Sequence, residues 1–509
     1  MIKKIQQDYI FYSHEFKDNY RKGVHRLRTI LASRAQAQAF VSNAGGVAVV
    51  LGYEPETPDK NAQELYALLA ASPYIENAVQ TFLGSIYEAG AESQDAMYAD
   101  SARCLEILHD PVMARAAGAG TVSAGKWIAT LAGQSCAAYT DIAAVAASET
   151  AMTAVAASET AMAAVVSNAT ALNAVVTSQV ALNAVAASET AMAAVIGNVT
   201  ALNAVVTSQL AMNAVAASET AMTALIANTA AFNTVVTSHV AMNAVASSYV
   251  AVAAVYESAV AVETVKANET AWATLTGASS AVMGKAAAKL AGLNPADYAD
   301  MDAIASSSTA MAAVAASYVA VAAVYGSAVA VDAVKANETA WATLTGATSA
   351  VMGKAVAVLS GLNPDSYADM TAVASSSTAM AAIIGNSTAL NAVVSSSTAM
   401  TAVASSNTAR TAITNSATAK NALASSPLKK TVTKGNGNSW ENRTIRNGMG
   451  WLINCYNANS GGEAGSTWYK LDGVQTSQPA GTTNVGKFFT SSLAIYWWSS
   501  TSSVTYIPC

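Results

Sequence analysis

A ten-residue repeat runs through more than half of this chain of 509 residues and restricts its fold more than any other feature. Between about Asp141 and Ser426, each block carries one large apolar residue, with a valine or leucine usually three residues later and a serine or asparagine four residues earlier. The large apolar column begins with Met152, Met162, Leu172, Leu182 and Met192, and the small polar column begins with Ser148, Ser158, Asn168, Ser178 and Ser188. The blocks also cycle in threes, which sets a second period of thirty residues.

The ten-residue block predicts a short helix. In one block Met192, Val195 and Ile196 fall at i, i+3 and i+4, which is one face of a helix, whereas a strand would separate Met192 from Val195. Serine and asparagine are favoured N-cap residues. A continuous helix fits poorly, because ten residues at about 100° each fall about 80° short of three turns. We therefore predict helices of about eight residues, stacked as a solenoid with three helices per turn.

Two other folds of the repeat stay open from the sequence, a trimeric coiled coil with 4-3-3 core spacing and a β-solenoid. All three are elongated, so the expectation is an elongated shaft. A longer duplication lies over the short repeat, because Ala254–Met301 recurs at Ala323–Met370 with an offset of 69 residues. In both copies an Asn-Pro turn signal, at Gly292–Asp297 and Gly361–Ser366, interrupts the repeat.

The N-terminal part, residues 1–138, differs from the repeat in its mixed composition. Apolar residues at helical spacing in Asn61–Ala71 and Ile75–Tyr87 predict a mainly helical domain. The repeat shaft is assigned to residues 139–426. A segment rich in lysine, glycine and asparagine, residues 427–439, is predicted to be a linker.

The last part, residues 440–509, holds five of the eight tryptophans and predicts a compact β-rich tip domain. Its segments rich in aromatic and β-branched residues, separated by turn residues, are Met449–Asn457, Ser466–Leu471, Lys487–Trp498 and Val504–Ile507. The predicted fold class is therefore mainly α, with a helical N-terminal domain, a helical repeat shaft and a small C-terminal β-domain.

This layout resembles that of bacteriophage tail fibres and related virion appendage proteins. Blocks such as AVAASETAMA and AIIGNSTALN, over roughly residues 141–425, are similar to the Ala-Ser-Thr-rich repeats of predicted phage tail fibres. The tip segments WENRTIRNGMGWLINCYNA and KFFTSSLAIYWW resemble the small domains that end such fibres. The resemblance implies a homotrimer, made in the host cytoplasm and assembled into the virion tail. It would dock to a phage tail or baseplate protein by its N-terminal domain and contact a host surface glycan or protein by its tip.

Aromatic residues of the tip are the candidates for receptor binding, because tryptophan and tyrosine offer a large contact area with a polar group at one end. The candidates are Trp468, Tyr469, Tyr496, Trp497 and Trp498. Neighbouring strand residues point to opposite faces, so Trp497 and Trp498 cannot both face the same side. One of the two should point outward.

Basic residues near the N-terminus are the candidates for docking to the virion. The first 38 residues hold eight Lys or Arg against three acids, and the residues chosen are Arg21, Lys22, Arg26 and Arg28. A basic segment can bind nucleic acid or a membrane, but aromatic side chains lie between these charges and fit an acidic partner protein at least as well. We expect a partner protein and no nucleic acid. Cys455 and Cys509 either form a disulfide that fastens the C-terminus or stay reduced.

Catalytic, cofactor-binding and metal-binding residues are not expected. The chain lacks the HExxH and GxSxG motifs, and its four cysteines lack the spacing of a zinc site. A glycan-cleaving tip would need a pair of acids, for which Glu441, Glu463 and Asp472 are the available residues. We expect a protein that is not an enzyme.

Two alternative functions are compatible with a repetitive chain of this kind. A bacterial surface adhesin or layer protein would normally carry an export signal, and the N-terminus has none of that pattern. An ice-binding protein would present a regular threonine column, but Val180 and Leu210 interrupt the column here.

Overall fold

In a computed structural model, the chain is mainly helical and ends in a small antiparallel β-region. The structure describes residues 2–17, 20–52, 60–88, 92–435, 437–459 and 466–509, with the backbone alone at 2–5, 17, 20, 21, 60 and 61. These residues contain 37 α-helices, three 3₁₀ turns and eight β-strands. The chain forms two compact units, residues 1–241 and 242–509.

Within the described residues, ten helices precede the ten-residue blocks, as predicted for a helical N-terminal domain. They are α1 (Ile2–Lys17), α2 (Tyr20–Ala32), α3 (Arg34–Val41), α4 (Ala44–Leu51), α5 (Lys60–Ala70), α6 (Ile75–Ile86), α7 (Gln94–Tyr98), α8 (Ser101–His109), α9 (Pro111–Ala117) and α10 (Thr121–Leu131). The predicted helices at 61–71 and 75–87 match α5 and α6 within one residue. Their core contains Phe16, Phe40 and Trp127, each at most 1% exposed.

The ten-residue blocks of the first unit form one short helix each. They are α11 (Ile142–Ala147), α12 (Glu149–Ala157), α13 (Glu159–Ser167), α14 (Ala169–Val176), α15 (Gln179–Ala186), α16 (Glu189–Gly197), α17 (Val199–Thr207), α18 (Gln209–Ala217), α19 (Glu219–Ala227) and α20 (Thr229–Thr237). Helix α21 (His239–Ser247) lies across the limit between the units. Each of α11–α20 starts after an Asp, Ser or Asn whose side chain accepts a hydrogen bond from the backbone N–H three residues later.

Helices α11–α20 stack as a solenoid with three helices per turn. Consecutive helices bend sharply, by 99° between α12 and α13 and by 105° between α16 and α17, and each helix packs against the third one after it. The large apolar residue of each block, the alanine before it and the valine or leucine after it are buried. This confirms the predicted helical solenoid, and the coiled-coil and β-solenoid alternatives are wrong. The thirty-residue period of the sequence is one turn of the solenoid.

The N-cap residues of the first unit have a second role that the sequence did not indicate. The Ser178 hydroxyl donates to the carbonyl oxygen of Ala146 at 2.6 Å, and the Asn198 Nδ2 donates to the carbonyl of Val166 at 3.0 Å, each 32 residues earlier. One side chain therefore caps its own helix and fastens it to the previous turn. Serine and asparagine can donate and accept at once, whereas an ionised aspartate only accepts. That requirement explains why these positions hold serine or asparagine.

The second unit continues with helices of the same kind. They are α22 (Tyr249–Glu257), α23 (Ala259–Lys266), α24 (Glu269–Thr276), α25 (Ser280–Leu290), α26 (Met301–Ser306), α27 (Ser308–Ala316), α28 (Tyr318–Gly326), α29 (Ala328–Ala336), α30 (Glu338–Thr345), α31 (Ser349–Leu359), α32 (Met370–Ser375), α33 (Ser377–Ile384), α34 (Ser387–Ser395), α35 (Ser397–Ser405), α36 (Asn407–Thr414) and α37 (Ala417–Ala424). No single helix in the described parts of the chain is long and apolar enough to cross a membrane, although eight bent helix pairs meet the length and composition criteria.

Three copies of one junction start successive stretches of the repeat, where the sequence alone reveals two. Each has an eleven-residue helix (α10, α25 or α31), a 3₁₀ turn and an Asp-capped six-residue helix (α11, α26 or α32), and the 3₁₀ turns are Cys136–Ala138, Pro295–Asp297 and Pro364–Ser366. A glycine with positive φ ends each long helix, at Gly133, Gly292 and Gly361. The first copy lacks the Asn-Pro signal and was therefore missed. The repeat architecture thus begins at Thr121 and not at residue 139.

A second glycine fixes the geometry of each junction. Gly125, Gly284 and Gly353 lie inside the long helices, where a Cβ atom would overlap the backbone that begins the Asp-capped helix. The two helices therefore approach more closely than a side chain would allow.

The C-terminal region has two four-stranded antiparallel sheets that enclose one core. The strands are β1 (Lys430–Thr433), β2 (Glu441–Asn447), β3 (Gly450–Asn457), β4 (Trp468–Leu471), β5 (Val474–Ser477), β6 (Gly481–Phe489), β7 (Ser492–Trp497) and β8 (Ser503–Pro508), in the orders β1-β8-β3-β6 and β2-β7-β4-β5. The core includes Leu452, Phe489, Ile495 and Trp497.

Two details of the β-region differ from prediction. The segment expected to be a linker contains strand β1, which pairs with β8, so part of 427–439 belongs to the domain. The segment Lys487–Trp498, expected as one stretch rich in aromatic and β-branched residues, divides between β6 and β7, which lie in different sheets. Polar strands such as β2 escaped prediction because few of their residues are apolar.

Candidate functional site: an aromatic row on the β-domain

Strand register brings distant aromatic residues together on the outer face of the sheet β2-β7-β4-β5. Trp468 on β4 lies opposite Tyr496 on β7, and Asn442 on β2 lies opposite Tyr496 on its other side. Directly opposite residues of antiparallel strands share a face of the sheet. Trp440, just before β2, and Trp498, just after β7, extend the same set.

The four residues Trp468, Tyr496, Trp440 and Trp498 form what we call the aromatic row. The Trp468 and Tyr496 ring centroids are 5.3 Å apart with an interplanar angle of 16°, and those of Tyr496 and Trp440 are 4.8 Å apart with an angle of 9°. Trp498 is tilted by 57° against Trp440, with 5.5 Å between centroids. All four residues are half-buried. Stacking holds each ring in place while part of its surface stays in contact with solvent.

Charged and polar groups surround the aromatic row. The Lys470 Nζ atom lies 4.6 Å from the centroid of the Trp468 ring, which is a cation–π contact at one end of the row. The register places exposed polar residues on the same face, namely Asn442, Thr444, Gln475 and Ser477. A flat aromatic surface with a polar rim suits a ligand that has both an apolar face and many hydrogen-bonding groups.

Two of the five residues chosen from the sequence do not belong to this surface. Trp497 is 0% exposed and Tyr469 is 5% exposed, because strand alternation turns both toward the core. As alternation requires, Trp497 points inward while its neighbour Trp498 joins the aromatic row. Trp468, Tyr496 and Trp498 are brought together. Trp440 was missed, because only the pairing of β2 with β7 places it beside Tyr496.

Among the acids considered for a glycan-cleaving tip, Glu463 lies outside the described residues. Asp472 is hydrogen-bonded to the connection between β6 and β7. Its carboxylate accepts hydrogen bonds from the backbone N–H groups of Thr490, Ser491 and Ser492, at 2.6 to 3.0 Å. Partial burial raises the pKa of this carboxyl, but these bonds and the Ser491 hydroxyl outweigh it and lower the pKa to about 2.

Stability of the β-domain is expected to depend on pH through Asp472. Its pKa is lowered from 3.8 in the reference state to about 2 in the fold, so the stabilisation is complete above about pH 4 and is lost as the pH falls through 2. Asp472→Asn should lower the urea midpoint at pH 7 and flatten its decline between pH 4 and 2, measured by tryptophan fluorescence. Glu441→Gln, at the domain's other described acid, serves as the control. If the urea midpoint declined equally between pH 4 and 2 in Asp472→Asn and in the parent protein, this role of Asp472 would be contradicted.

Basic residues chosen for docking lie on α2 in the first unit. Lys22, Arg26 and Arg28 are exposed, and the side chain of Arg21 lies outside the described residues. Arg26 forms an ion pair with Glu15 at 3.3 Å, and Arg28 forms one with Glu64 at 3.3 Å. Ile10 and Phe11 on α1 are each 56% exposed. The N-terminal surface is therefore mixed basic and apolar, with part of its charge neutralised within the chain.

Cys455 and Cys509 do not form a disulfide. Cys455 lies opposite Val504, while the backbone N–H of Cys509 donates to the carbonyl of Met449, which precedes β3 and is six residues before Cys455. The strand register therefore keeps the two sulfur atoms apart. Burial raises the pKa of both thiols to about 12.

Comparison with protein-family models and with curated proteins gave no match. Within the described residues, no group of three or more His, Cys, Asp or Glu side chains is placed to hold a metal ion. Function is therefore inferred from the geometry of the aromatic row and of the repeat.

Proposed function

We propose that this protein is a structural appendage of a phage particle that contacts the host surface through the aromatic row. The observation that carries the proposal is the aromatic row itself, four partly exposed rings stacked on one sheet and rimmed by amide and hydroxyl groups. Aromatic rings bind the apolar faces of sugar rings, and neighbouring polar groups bind their hydroxyls. A host surface glycan is therefore the proposed ligand, and binding rather than cleavage is the proposed activity.

The remaining parts of the proposed function concern assembly. The mixed basic and apolar surface of α1 and α2 would dock to a phage tail or baseplate protein. The repeat supports the structural role, because each helix is capped and buries its apolar face on neighbours from the same chain. The protein would be made in the host cytoplasm and reside in the virion.

A homotrimer, implied by the resemblance to tail fibres, is proposed as the assembled form. Because the repeat fills its core within one chain, the trimer would use outer surfaces of the helices and the two ends. Sedimentation equilibrium of the purified protein should give three times the chain mass of 51.6 kDa. A mass of one chain across the micromolar range would contradict the trimer.

Immuno-electron microscopy tests the proposed location. Antibody against residues 430–509 should place gold on appendages of particles purified from a culture that carries this sequence. Preimmune antibody on the same particles is the control. Label on the envelopes of uninfected cells, with none on particles, would favour the surface adhesin and contradict the phage appendage.

A further inference from the structure

A cavity of about 630 Å³ lies in the second unit, among helices α24, α28–α30, α34 and α37. Its volume is within the range of small-molecule sites, about 300–1,000 Å³. The wall includes aromatic, charged and amide side chains, namely Trp272, Tyr325, Asp332, Lys335, Trp341 and Asn391. None of them belongs to the aromatic row.

Aromatic side chains of both copies of the duplication line this cavity. Trp272 and Trp341 occupy equivalent positions, 69 residues apart, and both are half-buried. The Tyr325 ring packs edge-on to Trp341 with 6.4 Å between centroids, and Lys335 Nζ lies 5.2 Å from the centroid of the Trp341 ring. The buried Tyr325 hydroxyl has no hydrogen-bond partner in the described part of the chain. The cavity wall thus includes two half-buried indole side chains.

A difference between the two copies keeps one wall of the cavity free of a side chain. Where the first copy has Glu257, the second has Gly326, which lines the cavity. A Cβ atom at position 326 would overlap the hydroxyl of Tyr256, so the packing of the first copy on the second requires glycine there. The glycine in this wall is therefore a difference between the two copies and not a feature of every repeat.

The polar groups in the wall define the ligand. Asp332 and Lys335 carry opposite charges, and Asn391, Thr388 and Ser425 add an amide and two hydroxyls. A phosphorylated ligand would require an excess of cationic groups, which these residues do not supply. Indole surfaces beside hydrogen-bonding groups fit a sugar ring, which has an apolar face and a rim of hydroxyls. We propose that this cavity binds a short neutral oligosaccharide, as a second site that is independent of the aromatic row.

Calorimetric titration of the full-length protein tests the proposal with three probes, maltotriose, cellotriose and triacetylchitotriose. Every variant also carries Tyr496→Ala, so that binding at the aromatic row does not contribute. We expect saturable binding of at least one probe. Trp341→Ala and Asp332→Asn should each weaken it at least ten-fold, with unchanged helical circular dichroism.

Glu263→Gln is the matched control for Asp332→Asn, because Glu263 holds the equivalent position in the first copy and does not line the cavity. It should leave the affinity unchanged. The proposal is overturned if none of the three sugars binds, or if Trp341→Ala and Asp332→Asn bind as tightly as their parent. Failure of the aromatic row would appear separately, as host binding that Tyr496→Ala does not reduce.

Discussion

Tyr496→Ala is expected to weaken binding to the host surface by roughly 30-fold, equivalent to about 2 kcal/mol, the size of a central interface residue. Tyr496 is one of the two inner rings of the aromatic row and stacks on Trp468 and on Trp440. Its removal takes away its own contact area and the support that orients both neighbours. The measurement is the concentration at which half of the protein sediments with host envelopes.

Tyr456→Ala is the matched control for this substitution. Tyr456 is also a partly exposed tyrosine of the β-domain, 41% exposed, but it lies on β3 in the other sheet. Its replacement should leave binding unchanged. If both variants lost host binding equally, or if neither lost it, the proposal that the aromatic row is the contact surface would be contradicted.

Gly125→Ala is expected to destabilise the first unit by about 2–3 kcal/mol, near the upper range for adding one carbon to a packed interior. The added Cβ would overlap the backbone of Asp141 and Ile142. A flexible side chain could turn away, but this backbone can move only together with the whole of α11. The free energy of unfolding, measured in urea by circular dichroism at 222 nm, reports the loss.

The same substitution at Gly197 should have the opposite sign. Gly197 ends α16, where a Cβ atom would meet no other atom within 4 Å, and its φ is not positive. Alanine there should stabilise the helix by about 0.5–1 kcal/mol, because glycine is the weaker helix former. Similar stabilisation at both positions would show that helix propensity, and not the close approach of α10 to α11, governs the effect at Gly125.

Local features of the repeat were predictable because each depends on residues within one block. The Ser or Asn cap, the buried Met or Leu and the buried Val all lie within about two turns of helix. The thirty-residue cycle also predicted three helices per turn. The contact between turns was not predictable, because Asn198 meets the carbonyl of Val166 only after the chain has gone once around.

Two features could not be predicted from the sequence, namely the first junction and the membership of the aromatic row. The junction at α10 has no Asn-Pro signal, and its similarity to the other two lies in Gly125, Gly133 and Asp141, whose roles are set by backbone contacts and conformation. In the β-domain, aromatic content identified the region, but two of five chosen residues proved to be core. Choosing the inward and outward faces requires the strand boundaries and the register.

By itself the sequence determined the short capped helix and its apolar face, since helix periodicity and capping act over a few residues. The repetition of the blocks in threes likewise determined the three helices in each turn of the solenoid. Tertiary structure alone decided which tryptophans share a surface or a cavity. Trp440, Trp468 and Tyr496 come from three separate segments of the β-domain, and Trp272 and Trp341 come from two copies of a duplication. Their proximity depends on strand register and helix stacking, which arise from contacts between residues far apart in the chain.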